Sequence, residues 1–462
     1  MFESPRTGAP WRLTSRQSNA LLLASPAVAA LVAALCLSQP VPWALAFAAL
    51  IVASGCALLL WHRPMLAAGL VPALFPLPEF AKVFAYEVGA LVAFALLLLA
   101  GLRARKPWVW KLDRIEVADF AFVAWGVVSL LWSTSAWWWL FGVRKYGMGA
   151  LALWTASRLA RDPRRRWDLL AGIAVAAITL SLATLAKAVQ SGLLTTGSAF
   201  RRIEGTDLGW GTSNYIGALL VLMLPTVLHV GLNAPGPRMR WLGRLALPLI
   251  GLVMAIAASR GGALLLVGVS LVFLLRQRMG RNTWLLLGGL AVAVALLLLG
   301  PGSEQFLARF TSPREQGSVV VRLFLLRAGW RRVLAHLPFG MGLGQGIVEP
   351  DHLAAGGPHN FLVTAAYEVG IPGALLWLAV LAAIAHRAWT HARMPAHART
   401  AQTLLFTLVT AVLNSTFEGT FEGLHFQFLF FWIVGLHAGS LAGDEPDAGA
   451  AVSPAPGTAR AG

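Results

Sequence analysis

Apolar runs of about 17 to 23 residues recur along this chain, near 20–38, 41–61, 64–80, 82–102, 116–134, 137–160, 168–190, 213–233, 243–258, 261–277, 283–300, 359–386, 401–416 and 421–440. About 20 apolar residues in a helix reach across a hydrocarbon core of roughly 30 Å. Lipid offers the backbone no water, so its polar groups must bond within the segment, and helices are the default. The short alternating strands of a barrel are missing. The sequence therefore predicts an all-α fold. It is a polytopic transmembrane helical bundle of about 12–14 spans with a helical subdomain outside the membrane. The run at 64–80 holds Pro72, Pro76 and Pro78 and is expected to be short or re-entrant.

Charge supports that reading. Only 12% of residues are charged, about half the share usual for a soluble protein. The formal net charge of +17 would suggest nucleic acid in a soluble protein. Here the cations sit in short loops between apolar runs, the pattern that marks a cytoplasmic side. The basic loops 101–114, 158–168, 237–244, 276–281 and 386–400 are separated by even numbers of spans, so one face takes them all. Both termini then fall on that face. The other face receives 191–212, the turn Ser259-Arg260-Gly261-Gly262 and the segment 301–358.

The domain reading follows. Residues 1–300 hold transmembrane helices and the external loop 191–212, and 301–358 is a large external loop. Residues 359–440 are the last transmembrane helices, and 441–462 have the Pro, Gly and Ala content of a disordered cytoplasmic tail. Arg6, Arg12 and Arg16 precede an apolar run that reads as an uncleaved first span. Cys36 and Cys56 lie inside apolar runs, which argues against a structural disulfide or metal cluster. The 19 tryptophans, including Trp137-Trp138-Trp139, fit interfacial belts.

The external face carries Arg201, Arg202, Arg260, Arg309, Arg314, Arg322, Arg327, Arg331 and Arg332, against the insertion bias. A guanidinium makes bidentate bonds to phosphate. Arg260 reads either as a snorkelling residue at a helix end or as an anion ligand beside free N–H groups of a helix N-terminus. Arg322 and Arg327 belong to RLFLLRAGWRR, which reads as an amphipathic helix on the membrane surface, able to offer Arg322 to a lipid-linked phosphate. Gly340-Met341-Gly342-Leu343-Gly344 resembles a dinucleotide loop but lacks the surrounding βαβ unit. A flexible loop presenting the N–H groups of Gly342 and Gly344 to a substrate fits better. His359 and Asn360 open an apolar run and suit either a helix cap or a catalytic base. Glu368, nine residues on, is a costly intramembrane carboxylate that supports a site or pairs with an arginine. The external loops hold no Asp-x-Asp pair and no His/Cys cluster at metal spacing, so arginine must offset any diphosphate charge.

His359-Asn360, nine residues, then Gly370-Ile371-Pro372-Gly373 is similar to the H-[NSQ]-x9-G-x-x-[GTY] pattern of bacterial O-antigen ligases. The companion pattern R-x3-L occurs twice, at Arg260–Leu264 and Arg322–Leu326. The stretch 200–375 resembles the wider ligase and polymerase superfamily. That resemblance implies a GT-C-like bundle in the bacterial inner membrane, with its active site and helical subdomain facing the periplasm. It implies transfer of O-antigen from undecaprenyl diphosphate to lipid A–core oligosaccharide by an inverting mechanism without a metal ion. No cofactor and no nucleic-acid partner are expected, membrane lipids are, and a monomer is the expected state. The implied catalytic residues are His359, Arg260 and Arg322; Arg201, Arg202, Arg327, Asn360, Glu368, Gly342 and Gly344 are the expected substrate-binding set. An O-antigen polymerase, a protein O-oligosaccharyltransferase and a transporter of an anionic or lipid-linked substrate remain open from the residues. Against a transporter stands the lack of an inverted repeat.

Overall fold

In the computed structural model, residues 112–163, 165–190, 213–257, 259–277, 279–299, 313–345, 360–417 and 420–443 are described, together with Pro72 and Leu307. The four runs between 20 and 102, both cysteines, the loop 191–212 with Arg201 and Arg202, most of 301–312, His359 and the tail beyond 443 lie outside the described residues.

Each of the ten apolar runs from 116 onward forms a helix. These are α1 (Arg114–Val128), α2 (Ala136–Leu159), α3 (Arg166–Gln190), α4 (Ser213–Asn233), α5 (Pro237–Ala257), α6 (Arg260–Leu275), α7 (Arg281–Leu299), α9 (Phe361–Ala392), α10 (Ala398–Phe417) and α11 (Leu424–Gly443). An eleventh helix, α8 (Pro313–Ala335), lies in the segment 301–358. Helices α3, α4, α5, α7, α9 and α11 are long and apolar enough to cross a membrane. The chain is an all-α, multi-pass membrane protein.

Two boundaries differ from the apolar runs. Helix α5 begins at Pro237, inside a basic loop, and α9 runs on to Ala392 through another. Hydropathy marks where the chain is oily, whereas arginine and lysine propagate a helix nearly as well as leucine. Proline at the first helical position suits the start of α5, since that N–H has no partner in any case.

The basic segments meet at one end of the bundle. Arg387 pairs with Asp113 at 3.2 Å. Arg399 donates to Asn233 at 2.9 Å, Arg244 to Asn282 at 2.6 Å and Gln277 to Gln402 at 2.9 Å. Successive helices then alternate in direction, as the loop charges predict. The starts of α2, α4, α6, α9 and α11 share the opposite end. There, the Tyr215 hydroxyl at the head of α4 accepts from the Phe426 N–H at the head of α11, at 3.1 Å.

The core is close-packed through small residues. A Cβ on Gly435 or Gly439 of α11 would strike the backbone of α2 at Leu153 or Ser157. Close backbone approach through small residues is how helices associate where lipid is as apolar as leucine.

Candidate functional site

The end away from the basic loops holds the described candidate residues, and local chemistry explains each helix start. Ser259 is the N-cap of α6, its hydroxyl accepting from the Gly262 N–H at 3.3 Å. Arg260 is therefore the first helical residue, half-buried, beside a cluster of backbone N–H groups. A Cβ on Gly217 would touch Ser259, so this turn packs on the head of α4. That head meets the chain before α11, because a Cβ on Gly423 would touch Tyr215. Phe421, two residues earlier, lies 5.5 Å from Phe361, the first residue of α9. The heads of α6, α4, α11 and α9 thus form one continuous floor.

Asn360 opens α9 in extended backbone (φ −142°, ψ 115°). Its Oδ1 accepts from Leu362 N at 3.1 Å and Val363 N at 3.2 Å. The cap reading of Asn360 is what the geometry displays. Asn360→Ala is expected to cost about 1 kcal/mol, measured by thermal unfolding in detergent, and Asn360→Ser or Asn360→Asp, which also cap, should lose much less.

Helix α9 is broken at Gly370 (φ 71°, ψ −174°), and the glycine-rich segment fills the break. Pro372 has no N–H to give to the Glu368 carbonyl four residues back. The Gly342 N–H takes its place at 2.7 Å, and the Met341 N–H reaches the Tyr367 carbonyl at 2.9 Å. Ile371 N–H turns away to the Pro338 carbonyl at 3.0 Å. The Val369 carbonyl accepts from Trp125 Nε1 at 2.8 Å, and Trp132 Nε1 donates to the Phe339 carbonyl at 3.1 Å. Leu343 N–H goes to Ser129 Oγ at 3.0 Å. Gln345, buried, ties the segment to the α1–α2 turn through Ser133 Oγ at 2.6 Å and the Ser135 carbonyl at 2.8 Å.

The segment is docked on its neighbours and is not the flexible loop expected from the glycines. The N–H of Gly342 is used within the protein, and Gly344 (φ 78°) lies against the Trp138 carbonyl with no space for a Cβ. The alternation of glycine permits close backbone approach and left-handed turns. The segment is a docked clasp, held by Trp125 of α1 and by Trp132 in the turn that follows α1.

Helix α8 leads into that clasp and carries Arg322 and Arg327 on different faces. Arg322 is half-buried, sharing an inward stripe with Gly329 and Val333, whereas Arg327 is exposed. The outward face mixes exposed Val320, Phe324 and Leu334 with Arg327 and Arg331, so apolar and cationic side chains share it. Near its end, the Arg332 guanidinium lies 5.9 Å from the Tyr367 ring centroid, which packs α8 on α9.

Glu368 is 2% exposed, and its Oε2 has no hydrogen-bond partner. It faces the bundle interior rather than the open end. Lys145, Tyr146 and Gln427, also buried, escaped the sequence reading. The sequence does carry a signal for Lys145: it is a charge inside the apolar run 137–160, as costly there as the Glu368 carboxylate.

Residues 245–378 match the O-antigen ligase family. The matched stretch is less than a third of the chain and runs from within α5 past the break in α9. It contains Arg260, Arg322, the glycine clasp, Asn360, Glu368 and Gly370. No curated protein matches the chain. That stretch is thus similar to a family of glycosyltransferase-like ligases and polymerases.

Proposed function

We propose that this protein transfers O-antigen polysaccharide from undecaprenyl diphosphate to lipid A–core oligosaccharide, at the periplasmic face of the bacterial inner membrane. The observation that carries the reading is the shared end: the family-matched stretch puts Arg260 at the capped start of α6 on the same end as the start of α9, away from the basic loops.

In the mechanism, His359 is the general base. A neutral imidazole suits proton uptake at neutral pH. The acceptor sugar oxygen attacks the anomeric carbon as the C–O bond to diphosphate breaks on the opposite side, giving inversion. The proton passes from the acceptor hydroxyl to the imidazole. Arg260, aided by the N–H groups at its helix start, and Arg322 hold the charge gathering on the leaving diphosphate. No metal ion enters the scheme. Arg201, Arg202 and Arg327 are assigned to substrate phosphates and sugars, and the polyprenyl chain lies between helices.

The test uses purified protein, undecaprenyl-diphosphate glycan and lipid A–core. Arg260→Ala, Arg322→Ala and His359→Ala should each lower the transfer rate about a hundred- to a thousandfold, the cost of removing a preorganised group that answers developing charge. Undiminished transfer by all three variants overturns the reading. Product formed only when the acceptor is a second lipid-linked glycan would instead make the enzyme a polymerase.

A further inference from the structure

Between α10 and α11 the chain makes a single 3₁₀ turn, Thr420–Glu422, and Phe421 in that turn is 3% exposed. The transfer scheme does not use this residue. Its ring centroid lies 5.5 Å from that of Phe361 and 5.5 Å from that of Trp377. Phe361 precedes the break at Gly370 and Trp377 follows it, so Phe421 touches α9 on both sides of the break. A helix with an interrupted hydrogen-bond ladder leaves its first turns, here Phe361 to Val369, to be placed by what packs on them.

The turn is held firmly. Buried Gln427 donates through Nε2 to the Phe421 carbonyl at 2.8 Å. Thr420 Oγ1 pairs with Ser415 Oγ of α10 at 2.7 Å. The rings of Phe426 and Phe430 each lie 5.1 Å from the Phe421 ring, at 85° and 90°, the edge-to-face arrangement that aromatic pairs favour. The Phe421 ring is therefore a fixed wedge against Phe361. A cavity of about 10 Å³ adjoins the contact, with Phe361, Phe421 and Gln427 in its wall. A shorter side chain at 421 would enlarge that space and let Phe361 tip inward.

From this turn, packing leads to both sets of proposed reacting groups. On one side Phe361 follows the cap Asn360, and His359 precedes them in sequence. On the other, Gly423 lies against Tyr215 at the head of α4, and Gly217 of α4 lies against Ser259, next to Arg260. We propose that Phe421 is a positioning residue for glycan transfer, whose ring sets the head of α9 at a fixed separation from the head of α6. This rests on the transfer reading above. Attack opposite a departing diphosphate needs the base and the phosphate ligands at a defined spacing, and a misplacement of about 1 Å lowers rate about a hundredfold.

Phe421→Leu keeps an apolar side chain but loses the reach to Phe361. Its kcat should fall about ten- to a hundredfold, with KM for both lipids nearly unchanged because no group assigned to substrate is altered. Hydrogen exchange in 361–369 should quicken. Phe361→Leu cuts the same contact from the other side and should lower kcat alike, which decides the point if Phe421→Leu does not fold. Phe273→Leu is the control: that buried ring, at the end of α6 far from Arg260, meets Phe406 of α10 at 5.3 Å. It should lower the melting temperature similarly while kcat per folded molecule and exchange in 361–369 stay at wild-type level. Wild-type kcat in the Phe421 and Phe361 variants, or an equal fall in Phe273→Leu, overturns the positioning role. No transfer by the wild-type protein to either lipid acceptor removes the transfer reading itself, and the role of Phe421 falls with it.

Discussion

Gly370→Ala is expected to undo the clasp between the glycine segment and α9, and with it most of the protein's stability. The backbone at Gly370, with positive φ and extended ψ, lies in a region that residues with a Cβ essentially do not enter. An added Cβ would also collide with the Pro338 carbonyl oxygen and the Phe339 backbone. Neither obstacle is the movable end of a side chain. Relief requires the segment to lift, which gives up the bonds of Met341, Gly342 and Ile371. Strain of about 1–3 kcal/mol and roughly 1 kcal/mol for each of those hydrogen bonds together make a loss of about 4–6 kcal/mol. Gly344→Ala meets the Trp138 carbonyl in the same way. Gly268→Ala is the control, since it is helical with nothing within 4 Å of its Cβ, and it should be neutral or stabilising by up to about 1 kcal/mol. Thermal unfolding in detergent and protease cleavage within 338–345 read the difference.

That clasp shows what the sequence could and could not convey. Length and apolarity sufficed for the helices after residue 112, and loop charge sufficed for their alternating direction, because both signals are local. The run 359–386 read as one continuous helix, yet it is broken at Gly370. Pro372 was the local hint, but the remedy for the freed Glu368 carbonyl comes from Gly342, twenty-six positions earlier. A long-range backbone bond leaves no periodic trace. The same holds for Gly342 and Gly344, where a run of glycines signals close approach without saying to what. Arg260 and Asn360 were legible because a helix start has its own grammar of Ser or Asn caps. Glu368 was legible as a charge in oil, and Lys145 was equally so.

Glu116→Leu should destabilise the protein by about 3–5 kcal/mol, the cost of leaving one member of a buried ion pair alone. Arg158, near the end of α2, and Glu116, in the first turn of α1, both have side chains with no exposure. Arg158 Nη2 donates to Glu116 Oε2 at 2.8 Å, while Nη1 pairs with Oε1. Ser157 Oγ also donates to Oε1, at 2.6 Å. Oε2 accepts in addition from the Asp113 N–H at 2.9 Å, closing the capping box of α1. The Trp154 ring, 5.1 Å from the guanidinium carbon, covers the cation. Every lone pair facing inward is answered, the condition under which a buried pair is tolerable. Arg158→Leu should cost less than Glu116→Leu, because the carboxylate left behind keeps Ser157 and the Asp113 N–H. Glu116→Leu with Arg158→Leu should cost far less than the two singles together, since hydrophobic replacement of both partners strands no charge, and a double-mutant cycle measures that coupling. The pair sits among the basic segments, a bundle length from the head of α9. Transfer per folded molecule should therefore stay at wild-type level in all three variants. A fall in kcat at unchanged stability would mean that the register of α1 against α2 reaches the far end, where Trp125 and Trp132 hold the clasp.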